Sequence, residues 1–247
     1  MSGIEAFSPK GMLHEGWSAQ ADDYAIVCGW ALQGKTFLVG DVAGGLYAFE
    51  GKSGKLIWQI KDIHKGGLLA MSIHPDGNAF ATAGQDGNVC IWESKEGKST
   101  KTLELGKGWV DHIQWSSDGK FLAVVFTKYV FVFDEKGQEY WRSNQHQSTV
   151  SAIAWSISNE LATACYGQVT FFDVVNDKVN QKLEWRGSLV SMVLSPDGDI
   201  VACGSQDNSV HFWRRSTDQD SEMTGYPGKP SHLAFDPTGT VLATGGS

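Results

Sequence analysis

LLAMSIHPDGNAFATAGQDGNVCIWE, residues 68–93, holds the pattern from which the whole chain is read. An apolar run (68–74) ends at Asp76-Gly77, a pair suited to a tight reversal because Asp accepts local backbone hydrogen bonds and Gly supplies left-handed backbone. A second run (78–84) leads to a short loop, and a third (89–93) closes on an aromatic residue followed by an acid. Short runs bounded by such turns read as strands, and a continuous apolar run of this length reads as a strand buried on both faces.

Working outward, the same order recurs. The turn reappears at Gln33-Gly34, Asp118-Gly119, Asp197-Gly198 and Thr238-Gly239, with Ser158-Asn159 as a weaker copy. Anchored on Gly34, Gly77, Gly119, Asn159, Gly198 and Gly239, the steps are 43, 42, 40, 39 and 41 residues. The third run recurs as LYAFE (46–50), VFVFD (130–134), VTFFD (169–173) and VHFWR (210–214), and its aromatic anchors keep steps of 43, 41, 39 and 41. Two independent markers share one period and phase, the signature of a repeat architecture. Each unit predicts four strands, the fourth weaker and ending in Trp at Trp58, Trp141 and Trp185. The expectation is an all-β propeller of four-stranded blades: five complete blades and the start of a sixth within residues 24–247.

Units of about 40 residues whose third strand closes on an aromatic-acid pair resemble the WD-repeat family across residues 24–247. The resemblance implies a buried hydrogen-bonded tetrad in the second unit: His64, Thr82, Asp86 and Trp92, read as scaffold. Other units depart from it. The fifth keeps Asp207 and Trp213 but has Cys203 at the hydroxyl position and no preceding His; the fourth keeps His146 and Thr163 but has Tyr166 and Phe172 at the other two positions; the third shows Phe133-Asp134 and no tetrad. Residues 36–60 also resemble the repeat of quinoprotein propellers, which makes a quinoprotein-like enzyme or cofactor-binding protein the alternative reading.

The sixth unit (231–246) starts normally, with Thr244 in the place of Thr82, and the position of the tetrad Asp falls past Ser247. This predicts a fragment of a seven-bladed ring. Residues 1–23 form an N-terminal segment that is expected to lend a ring-closing strand over Met12 to Trp17.

Composition narrows the function. The 247 residues include 29 glycines and 10 tryptophans and carry a net charge of −8, which argues against a nucleic-acid partner. The basic stretch Lys95, Lys98, Lys101 and Lys107 reads as a solvated outer strand. No apolar stretch suits a membrane span and no secretory leader is visible, so a cytoplasmic protein is expected. Cys28, Cys90, Cys165 and Cys203 lack the paired spacing of a zinc site and read as reduced, buried thiols. Gly45-LYAFE-Gly51-Lys52-Ser53 has five residues between its glycines where a phosphate loop has four, and those residues read as a buried strand. No catalytic motif or cofactor site is expected. Function is expected on the rim that carries the loops between units and those joining second to third strands. Lys65, Trp109, Arg186 and Tyr226 fall in the first set, Tyr129 and Tyr166 in the second. Aromatic and Arg side chains commonly anchor protein interfaces, so a non-catalytic platform for a protein partner is the expected function.

Overall fold

The computed structural model describes residues 16–246. Twenty-two strands and one short 3-10 turn (Leu32–Gly34) follow one another along the chain. Blade one consists of β1 (Ala25–Ala31), β2 (Thr36–Asp41), β3 (Leu46–Glu50) and β4 (Leu56–Ile60). Blade two has β5 (Leu68–Ile73), β6 (Ala79–Gly84), β7 (Asn88–Glu93) and β8 (Lys98–Glu104). Blade three has β9 (Ile113–Trp115), β10 (Phe121–Phe126), β11 (Tyr129–Asp134) and β12 (Glu139–Arg142). Blade four has β13 (Ala152–Trp155), β14 (Leu161–Cys165), β15 (Gln168–Asp173) and β16 (Lys178–Glu184). Blade five has β17 (Leu189–Leu194), β18 (Ile200–Ser205), β19 (Val210–Arg214) and β20 (Gln219–Met223). Strands β21 (Pro230–Phe235) and β22 (Leu242–Gly246) form a two-stranded sheet. Every sheet is an antiparallel meander in chain order, and the first strands β1, β5, β9, β13, β17 and β21 are successive neighbours. The propeller expected from the repeat is therefore the architecture of the molecule.

The turn anchors explain why the repeat is written as it is. Gly34, Gly77, Gly119, Asn159, Gly198 and Gly239 all have φ between 60° and 78°. That left-handed backbone carries a penalty for most L residues and little for Gly or Asn. In the Asp-Gly copies the acid fixes the turn: the Asn78 amide donates to Asp76 Oδ1 at 2.8 Å and the Asp199 amide to Asp197 Oδ1 at 3.0 Å.

Burial follows strand rank. β14 is buried throughout and β20 is exposed throughout, because second and third strands are sandwiched between neighbouring sheets while fourth strands face solvent. Alanines on the second strands (Ala81, Ala83, Ala162, Ala164) let the sheets approach closely, and large side chains from the next blade fill the remaining space. One such cluster joins blades two and three through Val89, Ile91, Trp115 and Leu122; another joins blades four and five through Phe171, Leu189, Val201 and Trp213. Trp155 also crosses to blade three, its Nε1–H donating to the Gln114 carbonyl at 3.0 Å.

Three expectations need amendment. Cys90, Cys165 and Cys203 are buried, but Cys28 is exposed on β1. Gly16 and Trp17, the described part of the expected Met12–Trp17 strand, are not in a strand; Met12 to Glu15 lie outside the described residues. Trp17 instead packs its ring 6.0 Å from both Phe37 and Phe49, and its Nε1–H donates to the Gly51 carbonyl at 2.9 Å. Trp185 does not end a fourth strand but follows β16 in the connection to blade five, with consequences for the site.

Candidate functional site

The loops joining successive blades and those joining second to third strands emerge at one end of the molecule, as the antiparallel order requires. Blade two builds this loop rim on a polar chain of side chains. Trp92 Nε1–H donates to Thr82 Oγ1 at 2.9 Å, Thr82 Oγ1 lies 2.9 Å from His64 Nε2, and His64 Nδ1 lies 3.0 Å from Asp86 Oδ1. An ionised carboxylate only accepts, so Nδ1 carries the proton and Nε2 accepts from the Thr82 hydroxyl. Asp86 also takes the Asn88 amide on Oδ1 and the Lys65 amide on Oδ2, both at 3.1 Å. Burial alone would raise the Asp86 pKa, but the His64, Asn88 and Lys65 donors hold it below the usual carboxylate range. The four residues hold β6, β7 and two loops in one arrangement.

Blade four keeps half of this. His146 Nε2 lies 3.0 Å from Thr163 Oγ1, but Nδ1 donates to the Lys128 carbonyl of blade three at 3.1 Å. A backbone group of the preceding blade replaces the missing carboxylate. Burial holds the His146 imidazole below its ordinary pKa, against the hydrogen bond to Lys128.

Blade five replaces the chain with a cluster of three rings. His64, His146 and Trp185 each stand four residues before a buried aliphatic (Leu68, Val150, Leu189), so Trp185 occupies the His position. Its ring lies 3.8 Å from that of His211, which lies 4.2 Å from Trp213. His211 pairs across the sheet with Cys203 and is 1% exposed, and neither ring nitrogen has a hydrogen-bond partner among the described residues. Nε2 comes within 3.2 Å of the exposed Asp220 carboxylate, though not in hydrogen-bonding geometry. Burial lowers the His211 pKa, with Asp220 and Glu222 opposing the shift, and burial pushes the Cys203 thiol far up. The Trp185–His211–Trp213 ring cluster was not foreseen from the sequence; the constant offset to the buried aliphatic was its signal.

The rim connections carry Lys65, Trp109, Tyr166, Arg186 and Tyr226 as expected, whereas Tyr129 is the first residue of β11 and not part of a loop. Trp109 and Tyr166 are 61% and 57% exposed, and Lys65 and Arg186 are exposed. Tyr129 is half-buried, and so is Tyr226, whose hydroxyl lies 3.0 Å from Thr244 Oγ1. Tyr166 and Arg186 come together in a groove of about 820 Å³ whose wall also includes Gln147, Gln168, Glu184 and Trp185. Its floor is fixed by backbone: the Gly167 amide donates to the Gly187 carbonyl and the Trp185 amide to the Gly167 carbonyl, at 3.0 and 2.9 Å. Gln147 Nε2 donates to the Tyr166 carbonyl, and Lys128 Nζ donates to the Gln147 carbonyl at 3.2 Å. Lys128 of blade three is thus joined to the groove between blades four and five. Lys65, Trp109, Tyr129 and Tyr226 do not line this groove. Among the described residues no cluster of His, Cys, Asp and Glu has the geometry to hold a metal, and no helix is long and apolar enough to cross a membrane.

Comparison with known proteins agrees with this geometry. The family model for the WD40 domain of anaphase-promoting complex subunit 4 matches residues 44–118, and that for the WD domain, G-beta repeat, matches residues 180–214. Protein HIR1 of Cryptococcus neoformans is 25% identical over 219 residues, covering 72% of this chain and 25% of the relative. Cell division cycle 20.1, cofactor of APC complex, of Arabidopsis thaliana is 28% identical, covering 65% and 38%. Actin-interacting protein 1 of Caenorhabditis elegans is 25% identical, covering 84% and 35%. The chain thus spans between a quarter and two fifths of the length of these relatives. A chain in the crystal structure of the Mitotic Checkpoint Complex superposes with a TM-score of 0.80 at 19% identity, over 92% of this chain and 73% of that one. Repeat period, blade topology and these matches agree: the chain is a β-propeller whose units are similar to WD repeats.

Proposed function

We propose that this propeller is a non-catalytic interaction scaffold, acting in the cytoplasm, whose loop rim over blades three to five receives a protein partner. The observation that carries the reading is the groove formed by Tyr166 and Arg186, with Trp109 exposed on the same rim. Large aromatic rings left in solvent on a backbone-fixed frame are apolar surface available for burial, and aromatic and Arg side chains are the usual anchors of an interface. The buried tetrad positions belong to the frame: His64, Thr82, Asp86 and Trp92 satisfy one another and hold the loops. A relative named as a cofactor of the APC complex supports a role inside a multi-protein assembly. Residues 36–60, which resemble a quinoprotein repeat, supply β2, β3 and β4 of blade one, a use that sheet geometry alone accounts for.

Affinity capture from cells of the source organism tests the proposal. Wild-type bait is compared with Trp109→Ala, Arg186→Ala and, at the opposite end, Lys95→Ala. One or a few stoichiometric proteins lost with the first two substitutions and kept with the third is the expected result. Equal recovery on all four baits contradicts the rim assignment.

A further inference from the structure

The two ends of the propeller differ in charge although the chain as a whole is acidic. Between β1 and β22, the loop-rim connections carry six Lys and Arg against four Asp, while those of the opposite rim carry seven against ten Asp and Glu. Of these cations, Arg186 lines the Tyr166 groove and Lys128 is bonded to its wall residue Gln147, while Lys61 is paired with Asp22. Arg186 lines the groove and makes no ion pair among the described residues. Lys128 reaches it through Gln147, and Lys107 stands two residues from Trp109. Asp111 is the one acid on the connection that carries Lys107 and Trp109, and Glu184 is the one acid in the groove wall.

We propose that this groove takes an extended acidic segment of a protein partner, with carboxylates against Arg186 and Lys128 and an apolar side chain against the Tyr166 ring. The inference rests on the platform reading and adds the chemistry of the partner. An Arg without an internal partner offers a planar pair of donors that matches a carboxylate. An exposed Tyr ring that shares its groove with an Arg rewards an apolar residue flanked by acids. The backbone-fixed floor of the groove keeps the ordering cost of binding low. Glu184 repels such a segment locally, so it works as an internal gauge of the sign of the ligand.

The test is selection of a random dodecapeptide library displayed on phage against the whole chain, followed by affinity measurement of the selected peptides. The expected result is enrichment of Asp and Glu around an apolar residue. Arg186→Glu then weakens binding about tenfold at moderate salt, Glu184→Gln tightens it, and Lys95→Glu leaves it unchanged. Selection of neutral or basic peptides, or acidic peptides indifferent to Arg186→Glu, overturns the acidic assignment and leaves the platform standing. Failure to select any peptide with a bait that melts as a folded protein overturns both.

Discussion

Blades two and five place a Trp at the same point of the third strand and surround it in opposite ways. In blade two the Trp92 N–H starts a chain of paired donors and acceptors that ends on a carboxylate. In blade five Trp213 and Trp185 hold an imidazole between them, beside a buried thiol, and neither imidazole nitrogen is hydrogen-bonded among the described residues. Both arrangements fill the same gap between sheets. The difference shows that the fold needs the space filled and the loops tied, while the polar chain is one of several ways to do it. Blade three makes the point further: Gly106, Val124 and Phe133 occupy the corresponding positions, and Val124 and Phe133 are buried.

The largest expected effect is at the hydroxyl position. Thr82→Val removes the oxygen that serves both Trp92 and His64, leaving two buried polar groups unpaired at a cost of about 2–4 kcal/mol. Cys203→Val in blade five changes shape but orphans nothing, and is expected to cost under about 1 kcal/mol. Urea unfolding of the two variants reads the difference directly, and equal losses would break the comparison. His211→Phe comes next and has the opposite sign. It removes a buried ring whose nitrogens lack partners, so a gain of about 1 kcal/mol is expected, whereas His64→Phe is destabilising.

A smaller effect appears with pH. Burial holds the folded-state pKa of His211 below its ordinary value, although Asp220, Glu222 and Asp207 oppose the shift. The unfolded chain therefore binds the proton first, and stability falls as pH drops below about 6.5. His146 acts in the same direction. Asp86 does not contribute in this window: its lowered pKa supplies stability that is intact above about pH 4 and lost only as pH falls further. Thermal melts at pH 7.5 and 5.5 are expected to show a drop that is reduced in His211→Phe; an unchanged drop would place the sensitivity elsewhere. The smallest effect is at the rim, where Tyr166→Ala is expected to shift stability by under about 0.5 kcal/mol, because the ring is mostly in solvent.

The propeller was legible in the sequence because its turns demand particular backbone. Gly34, Gly77, Gly119, Asn159, Gly198 and Gly239 recur at a fixed period for the same reason that all have positive φ. The blade-two chain was nameable from its four residue types. The substitutes were less legible, since each draws on something a residue-by-residue match does not carry. In blade four the Asp position is served by the carbonyl of Lys128, a group that every residue has. In blade five the imidazole comes from the third strand instead of the loop. The rim residues were read as a set, but the bond from Lys128 to Gln147 and on to the Tyr166 carbonyl depends on how blades three and four are set side by side. The expected ring-closing strand over Met12 to Trp17 rests on the family resemblance alone, which does not carry the packing of Trp17 against Phe37 and Phe49.

The central claim is that the buried chain of blade two is frame and the rim over blades three to five is the contact surface. The direct test measures, for Thr82→Val and Arg186→Ala side by side, the unfolding free energy and the affinity of the folded protein for its captured partner. The account expects Thr82→Val to lose stability and keep its affinity, and Arg186→Ala to keep its stability and lose affinity. The reverse pattern, or loss of affinity in Thr82→Val with Arg186→Ala unchanged, would contradict it.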